Sequence, residues 1–573
     1  MTFVHTRTAL ALALALAAGP AAAQAPSDNA TVNLIRLLVQ QGVLKPDQAD
    51  ALLKQAEAEA QAARTTAGAS QAQPGDVRVP YIPASVRAEI REEVKQEVVA
   101  QAKAENWAQP NTFPDWVSRI TIDGDMRVRN ESRFYDSRNS NEILDLARMN
   151  ASGPFLMGTY AADGTFQPQD GDRRYLNTRE DRRNLWRIRA RLGIKAQLSE
   201  DWIAGIRLAS GTDDSPVSTS DTLGNDMGKK NLWLDQAYLS WRAADWMTAT
   251  AGRAANPFVS TDLLYSSDLN FDGLSAVFKK PLEGKPVTLF GTLGAFVLDY
   301  AKNGGTYYQG EGKSENKWLL GAQVGADWRI DESNRLRGAL AYYHFDNIAG
   351  QRSSPCVVYS KSDVCSTDWS RPSFMQKGNT LFLLRDIVPS GIAGVSEYQY
   401  LGLASQFNLL DLNLQYDTRV FNGLGLRLAG NYVRNLAYKR GKMEDRAGGL
   451  NNIASNVGYD STDPANPRAT GIQSGPNAWM LQATLGNGFG LNDKGDWMAF
   501  VGYKYIQPDA MPDAYNDPTF HLGGTNARGY YLGAGYAIDK NVFAQMRWIS
   551  SKEVYGPPLS IDVLQFELNA RFY

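Results

Sequence analysis

Four scarcities bound what this chain of 573 residues can be. Net charge is nearly missing: 59 basic against 61 acidic residues leave a formal −2, so there is no overall basic field and no nucleic-acid partner is expected. Histidine is scarce as well. Past the N-terminal segment only His344 and His521 occur, and neither falls in a nucleophile motif, so no catalytic residue, metal or cofactor is expected. Cysteine is limited to Cys356 and Cys365, in CVVYSKSDVC. In an oxidising compartment these two are expected to close one small disulfide loop; the other readings are two free thiols, or a metal pair that lacks further ligands nearby. Long apolar runs are missing too. The one at Ala9–Ala18 is too short to span a bilayer, which excludes an inner-membrane helical protein. With Arg7 ahead of it and Ala21-Ala22-Ala23 before Gln24, that run reads as a secretory signal cleaved after Ala23.

What is abundant is glycine, with 51 residues, and aromatics, with 26 Tyr and 13 Trp. That mixture fits apolar residues spread by strand alternation instead of gathered in blocks. Residues 24–111 read differently, as a helical periplasmic segment. Leu34, Leu37 and Leu38 share a helix face, Gly42 and Pro46 break it, and Asp47 opens a second helix. Farther on, Val86, Ile90, Val94 and Val98 make one narrow apolar stripe. Such a stripe suits a short coiled coil between subunits, a helix lying against the rest of the molecule, or a solvated tether, and the sequence leaves these open.

From Trp116 the period becomes two, and 112–573 reads as a barrel. In SRITIDGDMRVRN, Ile120, Ile122, Met126 and Val128 alternate with Asp123, Asp125, Arg127 and Arg129. LWRIRARLGIKAQL repeats the pattern, with Trp186, Ile188, Leu192 and Ile194 on one face and Arg187, Arg189, Arg191 and Lys195 on the other. Candidate strands fall near 118–129, 184–198, 202–212, 231–242, 246–256, 269–280, 286–300, 316–330, 334–346, 398–419, 424–438, 477–490, 495–507, 526–538, 541–551 and 561–573. Brief turns such as 199–201, 331–334, 422–423 and 538–541 follow every second strand, and long links, among them 130–183, 347–397 and 439–476, lie between. Loops that long are unusual inside a compact soluble domain but expected on one rim of a barrel. Trp202, Trp241, Trp246, Trp318, Trp328, Trp497 and Trp548 near strand ends, close to the short turns, suggest an interfacial girdle. The final stretch, VLQFELNARFY, alternates Leu564, Phe566, Leu568 and Phe572 against Gln565, Glu567, Asn569 and Arg571, as a strand that closes against the first would. The expected fold is therefore an all-β transmembrane antiparallel barrel of about sixteen strands behind a short helical segment.

Four stretches, NLIRLLVQQGVLKPDQADALL, AEIREEVKQEVVAQAK leading to FPDWVSRITIDGDMRVR, GRAANPFVSTDLLYSSDLNFDGLS, and GNYVRNLAY, resemble the proteobacterial outer-membrane proteins known as putative porins. The resemblance covers nearly the whole mature chain. It implies an outer-membrane barrel embedded in lipid, a periplasmic N-terminal segment, a pore for small hydrophilic solutes, and a homotrimer. In such barrels the last residue is an aromatic in register with the apolar face; here Phe572 holds that register and Tyr573 follows it.

If the apolar face meets lipid, strand parity puts Arg127, Arg129, Arg187, Arg189, Arg191, Lys195, Arg207, Arg337, Arg427, Lys504, Arg547 and Arg571 in the lumen, with Asp123, Asp125, Asp327 and Glu567 among them. Two readings follow: guanidinium rows that attract anions and orient dipolar solutes, or arginines paired with neighbouring acids that hold the wall together. Asp262, Asp268 and Asp272, in the segment Ala255 to Gly273, suit a structural loop better than a divalent-ion site, and a constriction folded into the lumen is the third reading. GNGFGLND, at 486–493, leads to a turn and not a helix, so it is no phosphate cradle. The rival function is a non-conducting anchor or adhesin whose helical segment touches peptidoglycan. A plugged transporter does not fit, because the residues ahead of the first strand read as helices and linker.

Overall fold

The computed structural model describes Lys54, 115–224, 226–300, 308–309, 315–421, 423–460 and 468–572. The signal, the helices and apolar stripe of 24–111, and Tyr573 lie outside the described residues.

Sixteen strands form the wall: β1 (Ile120–Tyr135), β2 (Arg182–Gln197), β3 (Trp202–Ser210), β4 (Leu232–Ala244), β5 (Met247–Ala255), β6 (Asn270–Pro281), β7 (Val287–Asp299), β8 (Lys317–Arg329), β9 (Arg335–Asp346), β10 (Asn408–Val420), β11 (Leu424–Asn435), β12 (Asn477–Gly486), β13 (Trp497–Ile506), β14 (Ala527–Asp539), β15 (Val542–Glu553) and β16 (Ser560–Phe572). Each pairs antiparallel with its sequence neighbours, and β1 pairs with both β2 and β16. The ring is closed, so the strand hydrogen bonds have partners without water, as hydrocarbon surroundings demand. At the seam Gly124 faces Phe572, whose ring occupies the space a Cβ on Gly124 would need. A two-residue strand, Asp221–Thr222, pairs with β2 from within a loop.

Alternation sets the two faces. On β1, Ile122, Met126 and Val128 point outward and are exposed, while Arg129 and Glu131 point inward and are buried. Leu239, Leu274, Leu293, Val324, Leu414 and Leu481 continue the exposed apolar belt around the ring. A belt of that extent is stable against lipid, not water. Among the described residues no helix is long and apolar enough to cross a membrane.

Short turns at 198–201, 245–246, 282–286, 330–334, 421–423, 487–496 and 540–541 occupy one rim, and the longer loops the other. The segment 398–419 is split, the alternative its length leaves open: β10 begins at Asn408, and Val395–Gln399 pairs instead with Phe155–Tyr160 in a loop sheet. Two expectations are corrected. β1 runs on to Tyr135, past the expected end at residue 129. The tryptophans do not all sit by the short turns. Trp202 stacks on Trp241 at that rim, ring centroids 5.8 Å apart, with Trp246 and Trp328 near it, but Trp318 opens β8 at the long-loop end and Trp548 lies within β15, stacked on Phe134.

The largest apolar core lies inside the ring. Phe258, Leu263, Leu264 and Tyr265 of the loop 256–269 pack against Phe271, Phe296, Leu319, Tyr343 and Phe345, the inward residues of β6 to β9. There the inner face is packed against the loop and closed to solvent. Glycine makes it so: an inward Cβ at Gly321 would come within 2.5 Å of the Phe258 ring. The missing side chain leaves the room in which that ring sits edge-on to Tyr343, centroids 5.0 Å apart.

Candidate functional site

The loop 256–269 does not stay on the rim; it crosses the lumen. Val259 N donates to Gln323 Oε1 on β8, and Gln323 Nε2 donates back to Val259 O, both at 2.8 Å. Thr261 Oγ1 donates to Asn431 Oδ1 on β11. Asp262 takes Lys504 of β13 at 2.9 Å, and Asp268 takes Arg189 and Arg191 of β2 at 3.3 Å each. The loop 507–526 joins it, with Ser266 N donating to Tyr515 O at 2.7 Å.

Between these loops and the wall of β1, β2, β15 and β16 a polar cavity of about 400 Å³ remains. Strand register builds one side of it. Arg127 stands opposite Arg189 and Arg129 opposite Arg187, so alternate positions on two paired strands stack guanidinium groups up the wall. Arg127, Arg129, Arg133, Arg187 and Arg547 line the cavity, facing Glu131, Asp262, Asp268, Asp517 and Glu567, with Ser215, Ser218 and Ser266 between.

The pairing within this set is uneven. Arg129 reaches Glu567 at 2.5 Å, and Glu131 takes Arg133 at 2.6 Å. Asp517 lies 3.7 Å from Lys504 and 3.6 Å from Arg547, and Asp262 lies 3.8 Å from Arg547. Each of the five carboxylates therefore has a cation. Arg127 and Arg187 have none within 4.0 Å among the described residues; Arg127 Nη2 donates to Ser220 Oγ, and Arg187 Nε has no hydrogen-bond partner. Burial opposes ionisation of the loop acids, but cations outweigh it: Arg189, Arg191 and Arg127 hold Asp268 below the usual carboxylate range, and Lys504 with Arg547 brings Asp517 down to about 2. At neutral pH the cavity thus holds acids that each contact a cation, and two guanidinium groups that contact no acid among the described residues.

Other residues singled out by parity lie outside this cavity. Asp125 bridges Arg189 at 2.8 Å and Arg191 at 2.7 Å below it. Arg207 is bound to Asp235, Lys195 to Asp123, and Arg427 to Asp417. Arg337 lies over the Phe290 ring, and Asp327 pairs with Arg335. Arg571 donates to Gly490 O of the turn 487–496, part of GNGFGLND. Lys504 is only 1% exposed, sealed beneath loops that parity does not reveal. Asp272, on β6, pairs with Arg253, so Asp262, Asp268 and Asp272 each hold a different cation set, and among the described residues no cluster suited to a metal is present. His344 lies on the outward parity with its Nδ1 2.7 Å from Asn408 Oδ1, and His521 is wholly buried, held neutral by burial and by nearby Lys377. Cys356 and Cys365 are bonded, Cα atoms 6.0 Å apart.

Glu131 and Arg133 continue the parity of Arg127 and Arg129 on the part of β1 that runs beyond residue 129, the strand end expected from sequence. Asp517 carries no sequence signal, because a loop residue reaches the wall through tertiary folding alone.

The family described as "Putative porin" matches residues 28–572. The chain belongs to that family. No curated protein matches it. Among solved structures this porin is similar to the outer membrane channel DcaP of Acinetobacter baumannii, at 9% identity over 79% of this chain and 98% of that one, TM-score 0.34. It is also similar to OprB of Pseudomonas putida, at 11% identity over 80% and 96%, TM-score 0.38, and to Salmonella typhi OmpF in complex with daunomycin, at 9% over 79% and 97%, TM-score 0.36. The closed sixteen-stranded barrel and the family place the chain in the outer membrane as a channel-forming porin.

Proposed function

We propose that this porin passes small hydrophilic solutes by passive diffusion, with a mild preference for anions, and that the loop 256–269 is the constriction over which they pass. The reading rests on one observation: every acid lining the 400 Å³ cavity has a cation within 4.0 Å, and Arg127 and Arg187 have no acid that close among the described residues. Unneutralised guanidinium groups in a confined polar space raise the local concentration of anions and offer them planar donor pairs. The wall acids and arginines that do pair answer to the structural reading instead, since they join neighbouring strands or tie loops to the wall.

Residues 1–23 are read as a removed signal and 24–111 as a periplasmic helical segment, with peptidoglycan contact and a homotrimer as further parts of this proposal. No catalytic role is assigned. Planar-bilayer recording in a potassium chloride gradient tests the function directly. The expected result is stable conductance with a reversal potential on the chloride side; cation selectivity would refute the anion preference, and absence of conductance would favour the non-conducting anchor.

A further inference from the structure

A second cavity, of about 530 Å³, lies among the long loops, and no charge pattern in the sequence points to it. The loops 136–181, 347–407, 507–526 and 554–559, with residues 454–459, supply its walls. Ile143, Leu144, Leu146, Met375, Leu381 and Val457 give it an apolar lining, and exposed Tyr459, Gly556 and Pro557 form its mouth. Its one lining cation, Lys377, is taken by Glu553 at 2.9 Å. Of its other carboxylates, Asp145 accepts from Arg148 N at 3.0 Å, and Glu142 stands exposed at the mouth. The cavity therefore offers hydrocarbon contact beside neutral polar groups such as Gln376, Asn379 and Asn456, and no free cation, unlike the arginine cavity.

Leu522 lines both cavities. It is held there by an unusual run of backbone: His521, Leu522, Gly523 and Gly524 have φ of 55, 65, 86 and 81°, all left-handed. Buried His521 anchors the run, with its Nδ1 3.0 Å from Ser551 Oγ on β15. The turn thus turns His521 into the wall and sets an aliphatic side chain at the partition between an apolar space and a cationic one.

On the porin reading above, we infer that the two cavities are successive stations of one solute path, that Leu522 is the partition between them, and that the path favours small organic anions with a hydrocarbon body over polar ones of the same charge. The outer station selects by apolar contact and the inner one by charge. Dispersion and desolvation in the first offset the ordering cost of a solute waiting at the second.

The test uses the full-length protein in planar bilayers under bi-ionic conditions, with potassium hexanoate or potassium gluconate against potassium chloride. Hexanoate should permeate better than gluconate by about fourfold beyond their free-solution mobility ratio, the factor that one buried methylene is worth. The double variant Leu144→Asn/Met375→Gln should remove that excess, and an excess that survives it would overturn the apolar station. Leu522→Ala should raise chloride conductance and leave the chloride-to-potassium reversal potential where it was; Leu522→Trp should lower conductance. A wild-type hexanoate-to-gluconate ratio no greater than the mobility ratio overturns the inference, and that measurement stands even if a variant fails to insert. Chloride selectivity without hexanoate preference defeats this inference alone, whereas potassium selectivity defeats the anion reading beneath it.

Discussion

Two parts of the same wall follow the same rule of alternation and end in opposite surroundings. On β1, β2 and β16 the inward residues are arginines and glutamates around a polar cavity; on β6 to β9 they are Phe271, Phe296, Leu319 and Tyr343 under a loop. Parity decides which way a side chain points. What it meets there is decided by a loop from elsewhere in the chain. The dry side gives the loop 256–269 the dense contact that fixes a backbone in one place, and the charged side holds it by ion pairs that leave room for solute. An apolar anchor and a set of ion pairs are thereby placed on different stretches of the wall, tied together by one loop.

Removing the anchor should cost most. Phe258 is 6% exposed and lies edge-on to Phe271, Phe296 and Tyr343. Phe258→Ala should destabilise the folded barrel by about 3–5 kcal/mol, the usual range for a buried phenylalanine. With the loop loosened, conductance should rise and become noisy. Denaturant titration in detergent micelles and single-channel recording read the two effects; an unchanged midpoint with quiet channels would mean that the loop is held by its ion pairs alone.

The matching cut on the charged side is Arg129→Gln. It leaves Glu567, with a side chain 12% exposed, without its partner at 2.5 Å. A carboxylate stranded in that setting should cost roughly 2–3 kcal/mol, less than the anchor, because the cavity admits water that lessens the penalty. The same titration checks it, and Arg129→Gln/Glu567→Gln should recover most of the loss.

Much of this was legible beforehand. Sixteen strands, the closing partner of Phe572 and the inward direction of Arg127 or Arg187 follow from period and turn spacing, which are local properties. The dry wall was not legible, since Phe296 and Tyr343 alternate with outward apolar residues and nothing local tells a lumen-facing aromatic from a core one. Nor was the sealing of Lys504. Its partners Asp262 and Asp517 come from loops far apart in the chain, and only their folding turns an expected pore residue into a buried clamp.

The loop 507–526 touches both sides, stacking Tyr515 on Phe345 at the dry wall and presenting Asp517 to the charged one. Asp513, in the same loop, is wholly buried, and burial pushes its carboxyl up to about 7; buried Asp509 is raised as well. A raised pKa means that the folded state binds the proton more tightly than the unfolded chain does. Stability from this source is therefore full below about pH 4, the usual aspartate range, and is lost as pH rises toward 7. Melting temperature should fall across that window, and Asp513→Asn should flatten the slope without abolishing it, because burial also raises Asp509. A wild-type curve that rises between pH 4 and 7 would contradict this assignment.

The smallest effect on stability should come from Arg127→Gln/Arg187→Gln, and it tests the comparison most directly. Neither side chain has an acid within 4.0 Å among the described residues, so neutralising both strands no carboxylate and relieves repulsion from Arg129 and Arg189. The change in unfolding free energy should be under about 1 kcal/mol and of either sign. Selectivity should behave otherwise. With the uncompensated charge gone, the cavity holds five acids against paired cations only, and the reversal potential in a potassium chloride gradient should move toward potassium. Arg129→Gln/Glu567→Gln, which removes a compensated pair on the same strands, should leave that potential in place. If both double variants shift it equally, the wall acts through total charge and not through its two free arginines.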